Sequence, residues 1–168
     1  MKVDIEIERS IPVPLPPEKV RLLFDDIEGT VSRFPKLKKL TRLGPDQYLW
    51  ELSTIGSRMA KIAHDVSYGA RYQRSADGNE LAWKPLPNQG NASIAGWFRV
   101  VANKAGSEIR FKVEGELRDV PVPLIYRLVA PPFIQGKFTH LVETFLERTR
   151  DALLEEKTKS PAKKKAAR

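Results

Sequence analysis

The chain has 168 residues, 41% of them hydrophobic and 30% charged, and contains no cysteine. That length covers one hydrophobic core and is short for two domains, while the missing thiols exclude disulfides, thiolate zinc sites and cysteine nucleophiles. The net charge of +8 is localised: Lys157, Lys159, Lys163, Lys164, Lys165 and Arg168 supply six charges beyond the last acid, Glu156, so the basicity belongs to a tail rather than to the body.

Met1 to Ile11 alternates Val3, Ile5 and Ile7 with Asp4, Glu6 and Glu8, the pattern of a half-buried antiparallel strand. Pro12, Pro14, Pro16 and Pro17 are expected to end it, since proline donates nothing to a ladder. The start also lacks the unbroken apolar stretch of a signal peptide, and nowhere do eighteen apolar residues run together. A soluble, cytoplasmic protein is the expectation. Pro17 suits a first helical position, and Val20, Leu23, Phe24 and Ile27 give a short helical stripe. A second short helix is expected from Glu28 to Phe34, stopped by Pro35.

From Leu37 to Leu117 the period changes to two, with turn signals at Gly44 to Asp46, Gly56-Ser57, Asp77 to Asn79, Asn88 to Asn91 and Lys104 to Ser107. Strands are predicted at about 37–43, 47–55, 58–73, 79–85, 92–103 and 107–119. With the first, that makes seven, and the short turns make consecutive strands antiparallel. The last strand shows the pattern best: Ile109, Phe111 and Val113 point one way and Glu108, Arg110, Lys112 and Glu114 the other. Val120 to Pro132 is expected to be a packed linker or a helical turn or two, with Pro131 and Pro132 breaking or kinking it.

From Pro132 to about Glu156 the period is helical. Ile134, Phe138, Leu141, Phe145, Thr149 and Ala152 form one stripe, with Val142 and Leu153 on its edge. Lys137, His140, Glu143, Glu147, Arg150 and Asp151 lie opposite. Burying five or six of the large side chains is worth roughly 10 kcal/mol gross, and the sheet is the surface that can receive them. Residues 157–168, KTKSPAKKKAAR, have no apolar anchor and read as a disordered basic tail. The tail offers weak contact to an anionic membrane or nucleic acid and lacks any element for reading sequence.

Strand 1, two short helices, six antiparallel strands and a long C-terminal helix, in that order, resemble the helix-grip domain of the START, Bet v 1 and polyketide-cyclase superfamily. Val20 to Leu43 is similar to its opening signature, carrying Phe24-Asp25 and Phe34-Pro35 at the matching steps. The Pro-rich lead-in and Leu128 to Leu154 look like the coenzyme Q-binding and cyclase-like branch. The resemblance spans residues 1–156. It implies an α+β fold in which a seven-stranded antiparallel sheet curls around the C-terminal helix, with two short helices between strands 1 and 2. It also implies an apolar cavity for a lipid, quinone, polyketide or other hydrophobic molecule. It implies no reaction, since this fold hosts carriers, sensors and enzymes alike.

Strand parity puts Trp50, Leu52, Ile62, His64, Trp83, Phe98 and Phe111 on the inward face, opposite Phe138 and Phe145 of the helix. These nine are the candidate ligand-binding residues. Such aromatics suit a pocket for a flat apolar ligand and equally a filled core, and only the void volume separates the two. His64 is the candidate for orienting a ligand's polar end or for acting as a base; the plainer reading is a histidine satisfied by backbone at the sheet's rim. Tyr48, Tyr68 and Arg9 share inward parity, whereas Trp97 alternates with Arg99 and falls outside or at an edge. No catalytic residue, metal site or cofactor is assigned: the two histidines, His64 and His140, are far apart, and no Gly-rich phosphate loop, nucleophile elbow or carboxylate pair is present. The sequence thus reads as a binder or carrier of a hydrophobic small molecule or lipid. A polyketide cyclase or dehydratase-like enzyme and an interaction module using the basic tail stand as alternatives.

Overall fold

The computed structural model describes residues 1–59 and 61–156, so the basic tail and the disorder expected of it lie outside the described residues. The elements are β1 (Val3–Val13), α1 (Pro17–Val20), α2 (Ile27–Val31), β2 (Leu37–Gly44), β3 (Gln47–Ser57), β4 (Ile62–Arg74), β5 (Glu80–Gly90), β6 (Ala92–Asn103), β7 (Gly106–Leu117) and α3 (Ala130–Ala166, of which 130–156 are described). A 3-10 turn, Arg21–Asp25, joins the first two helices, and another, Leu124–Tyr126, precedes α3. The seven strands form one antiparallel sheet in the order β1-β7-β6-β5-β4-β3-β2. It curls around α3, giving the α+β helix-grip architecture.

Period-two patterning explains the meander from β2 to β7, each strand hairpinning onto the next. β1 cannot hairpin onto β2, because two helices intervene. It crosses instead to the free edge of β7, pairing Val3 with Leu117 and Ile11 with Ile109. Asp26 starts α2 by accepting the Gly29 amide at 3.0 Å, an N-cap. The signature aromatics enter the core: Phe24 lies against Phe98, and Phe34 packs on both Trp50 and Phe145 at 5.7 and 5.4 Å between ring centroids. Asp25 instead points outward to Arg74.

Several expectations are corrected. Pro12 does not end β1 but pairs opposite Glu108 within it, which an edge strand permits because no neighbour needs its amide. β4 begins at Ile62 rather than 58, the turn occupying the residues after Ser57. β5 runs on to Gly90, with Leu86 to Gln89 bulging out between the pairs Ala70–Pro85 and Tyr68–Gly90. Gly90 closes that bulge at φ +71, where a Cβ would lie 2.2 Å from the Ser67 carbonyl oxygen. Pro131 and Pro132 neither break nor kink a helix: α3 starts at Ala130, so both fall in its first turn, where the missing amides have no intrahelical acceptor.

α3 buries Ile134, Phe138, Leu141, Val142, Phe145, Leu146, Thr149 and Leu153. Leu146 joins the predicted stripe and Ala152 sits half-buried beside it. Thr149 is tolerated because its hydroxyl donates to the Phe145 carbonyl at 2.8 Å. Near its start α3 covers the open edge of β1. The Gln135 side-chain carbonyl accepts the Glu6 amide at 3.1 Å, and its side-chain amide donates to the Glu6 carbonyl at 2.6 Å. One side chain thereby stands in for an eighth strand at an edge that would otherwise present unpaired backbone groups. Among the described residues no helix is long and apolar enough to cross a membrane.

Candidate functional site

Curling the sheet brings inward-facing positions of five strands against one face of α3. Trp50, Leu52, Trp83, Phe98, Phe111, Phe138 and Phe145 meet there, around a cavity of about 20 Å³. Phe34, Tyr68 and Tyr72 complete its aromatic wall. The rings are in mutual contact: Phe98 lies 4.7 Å from Phe111 and 5.8 Å from Phe145, and Trp83 lies 5.7 Å from Phe111. Trp50 stacks on Tyr68 at 5.4 Å. Gly96 makes room for this packing, since a Cβ there would stand 2.5 Å from the Trp83 ring and 2.2 Å from the Lys112 carbonyl oxygen.

The volume settles how the space is used in this conformation. A void of that size is near the lower limit for one water, which would need two to four polar partners, and the wall is almost wholly apolar. Small-molecule pockets measure about 300–1,000 Å³. The aromatics fill the core here, and admitting a ligand requires rings or the start of α3 to move.

Four polar groups interrupt the apolar wall, carried by Trp50, Tyr68, Tyr72 and Trp83. The Trp50 indole donates to the Tyr72 hydroxyl at 3.0 Å. The Trp83 Nε1 is buried with no hydrogen-bond partner among the described residues. The Tyr68 and Tyr72 phenols are pushed to higher pKa by burial, and Tyr48 nearby is raised by burial and then by the Glu28 carboxylate. Among the described residues no carboxylate, histidine, lysine or arginine lines the cavity, so none of the lining groups described exchanges a proton near neutral pH.

The other two candidates stand apart from this wall. Ile62 is buried at the first position of β4, outside the cavity. His64 has the expected parity but sits half-buried at the rim, hydrogen-bonded to the Arg118 backbone and with its Nε2 buried and unpartnered. Burial lowers its pKa, against the opposing pull of Asp65 and the Arg118 backbone. His64 does not line the cavity, whereas Tyr68 and Tyr72, two and four steps of period two further along β4, do. Tyr68 was legible from parity, and Tyr72 carries the same signal. Arg9 pairs at the surface with Glu143 at 3.6 Å, and Trp97 lies on the outer face under the Arg99 guanidinium at 3.7 Å. Among the described residues no group of three His, Cys, Asp or Glu is arranged to hold a metal ion.

No family model matches this chain, and no curated protein does. Solved structures do. The aromatase/cyclase Zhui from Streptomyces sp. R1128 superimposes with a TM-score of 0.62 at 11% identity, over 91% of this chain and 95% of that one. A START superfamily protein from Mycobacterium smegmatis gives 0.61 at 13% identity, over 89% and 97%. TTHA0849 from Thermus thermophilus gives 0.61 at 18% identity, over 89% and 98%. At such identities the likeness is one of fold, and the fold is that of the START and Bet v 1-like proteins.

Proposed function

We propose that this protein, a ligand-binding fold of the START and Bet v 1-like type, binds an apolar small molecule carrying a hydrogen-bond acceptor between α3 and the concave face of its sheet. The observation that carries this reading is the Trp83 indole, a buried donor on the cavity wall without a partner among the described residues. Such an orphan costs about 1–3 kcal/mol, and a carbonyl or ether oxygen arriving with a ligand would remove that cost. Trp83 takes over the orienting role that parity assigned to His64. The protein acts as a binder or carrier: its cavity has no group titrating near neutrality to serve as acid or base, although an aromatase/cyclase shares the fold.

The test uses menadione, a flat apolar quinone with two carbonyl acceptors, against 2-methylnaphthalene, which has none. A chain without cysteine offers no thiol for the quinone to arylate. In a Trp97→Phe background the remaining tryptophans, Trp50 and Trp83, both line the cavity, so binding reads out as saturable quenching. Menadione should bind about three- to tenfold tighter than the hydrocarbon, the worth of one hydrogen bond. Replacing Trp83 with Phe should erase that preference. Absence of saturable binding by either molecule refutes the cavity reading; an undiminished preference in Trp83→Phe refutes the role of the indole.

A further inference from the structure

The cavity accounts for the inward residues and leaves unexplained the end of the molecule where β7 hands over to α3. Antiparallel order places the start of β1, the ends of β3, β5 and β7 and the start of α3 at that same end. The contact of His64 with the Arg118 backbone closes β4 onto the segment after β7. Two loops there expose large apolar side chains. Met59, beyond β3, is 96% exposed, and Leu128 is 93% exposed with Leu124, Ile125 and Val129 beside it.

The segment from Leu124 to Val129 is an organised turn. Tyr126, Arg127 and Val129 amides bond to the Pro123, Leu124 and Tyr126 carbonyls, and the Phe133 amide bonds to Val129, at 2.9 to 3.4 Å. Tyr126 packs against the core. Leu124 with Leu128, and Ile125 with Val129, are spaced four apart and point the other way. A monomer rarely exposes so dense an apolar patch without a use. The Tyr126, Arg127 and Val129 amides are already bonded within the turn, which lowers the cost of carrying it into an apolar phase.

Arg58, Lys61 and Arg127 are exposed on the same two loops, and none enters an ion pair among the described residues. The exposed acids nearby are Asp65, held by Thr54 at 2.8 Å, Asp119, and Asp4, Glu6 and Glu114, which share a depression with Pro131 and Pro132 and of which Glu6 and Glu114 pair with Lys112. Apolar tips flanked by unpaired cations complement an anionic lipid surface. A second copy of the chain would bring like charges together.

We infer that this end of the molecule docks on anionic phospholipid bilayers, Leu124, Ile125, Leu128 and Val129 inserting at the interface while Arg58, Lys61 and Arg127 meet the headgroups. This assignment holds whatever the cavity binds.

The full-length protein is sedimented with vesicles of phosphatidylcholine alone and of phosphatidylcholine with phosphatidylglycerol. It should partition onto the anionic vesicles. Ile125→Asp with Leu128→Asp should lower that partitioning at least about tenfold while leaving the circular dichroism unchanged, these side chains being exposed in the free protein. In a separate variant, Leu128→Trp, emission should shift to the blue on binding and be quenched by brominated lipid. No sedimentation, equal binding to both vesicles, or binding that survives the double substitution, as attraction through the lysine-rich tail would produce, each overturns the inference. So does concentration-dependent dimerisation abolished by the same substitutions, since the patch would then be a self-association surface.

Discussion

The bond between the Trp50 indole and the Tyr72 hydroxyl offers the most direct test of how the aromatic core is held. Both side chains are nearly inaccessible, at 4% and 3% exposure, and lie 3.0 Å apart, donor to acceptor. Tyr72→Phe keeps the ring and removes only the acceptor. The cost combines a lost hydrogen bond, about 1 kcal/mol net, with the desolvation of an indole N–H left without a partner, about 1–3 kcal/mol, partly offset because phenylalanine buries no hydroxyl. A net loss of about 1–2 kcal/mol is expected. At about 2–4 °C per kcal/mol for a chain of this size, melting should fall by roughly 2–8 °C. Urea unfolding followed by circular dichroism should show a lower midpoint at unchanged slope, the mark of a stability change without a change in compactness. Trp50→Phe and the double variant complete a cycle in which the packing cost of trimming the indole cancels. The double variant should be more stable than the sum of the two single losses implies, because no partner is left unsatisfied. A wild-type midpoint for Tyr72→Phe, together with additive singles, would refute the bond and with it the account of the core's polar groups.

Gly96→Ala should cost about 1–3 kcal/mol, since the new methyl drives into the Trp83 ring and the Lys112 carbonyl; a stabilised variant in thermal melts would contradict this packing. The lowered pKa of His64 means that as pH falls below about 6.5 the unfolded chain takes up the proton first. Its contribution to stability is therefore present above that pH and declines below it, until the folded pKa is passed. Urea midpoints should flatten over that range in His64→Gln, and an NMR titration placing His64 at or above 6.5 would count against the burial argument. Tyr48, Tyr68 and Tyr72 have raised pKa values, so their neutral forms favour the fold and stability falls as pH rises above about 10. Absorbance in the near ultraviolet should show these three ionising together with alkaline unfolding; reversible ionisation in the folded state would show them to be wetter than the structure has them. Gln135→Ala should speed hydrogen exchange at the Glu6 amide, which loses its acceptor, and unchanged protection would mean that the β1 edge is covered by something else.

Local pattern carried most of the architecture. Seven strands, two short helices and one long helix were legible because alternation and helical spacing are properties of consecutive residues, and the inward faces followed directly from parity. Seven of the nine candidate site residues met around one cavity for that reason. Parity gives a side, however, and not a depth along the strand. His64 has the inward side and lies at the rim, while Tyr72, with the same side, stands in the wall. Pro12 shows the complementary limit: its meaning depends on whether the strand is an edge, which no stretch of neighbouring residues records.

The sequence by itself determined which segments form strands and helices and which face of each is apolar, because these depend on steric and hydropathic rules acting over a few residues. Only the tertiary structure decided that β1 crosses to β7, that Leu86 to Gln89 bulge out, that the aromatic wall closes to about 20 Å³ with one indole unpartnered, and that the turn before α3 leaves its leucines in the open. Those outcomes depend on how residues from distant segments share volume and hydrogen-bond partners, and packing of that kind is set by the whole chain at once.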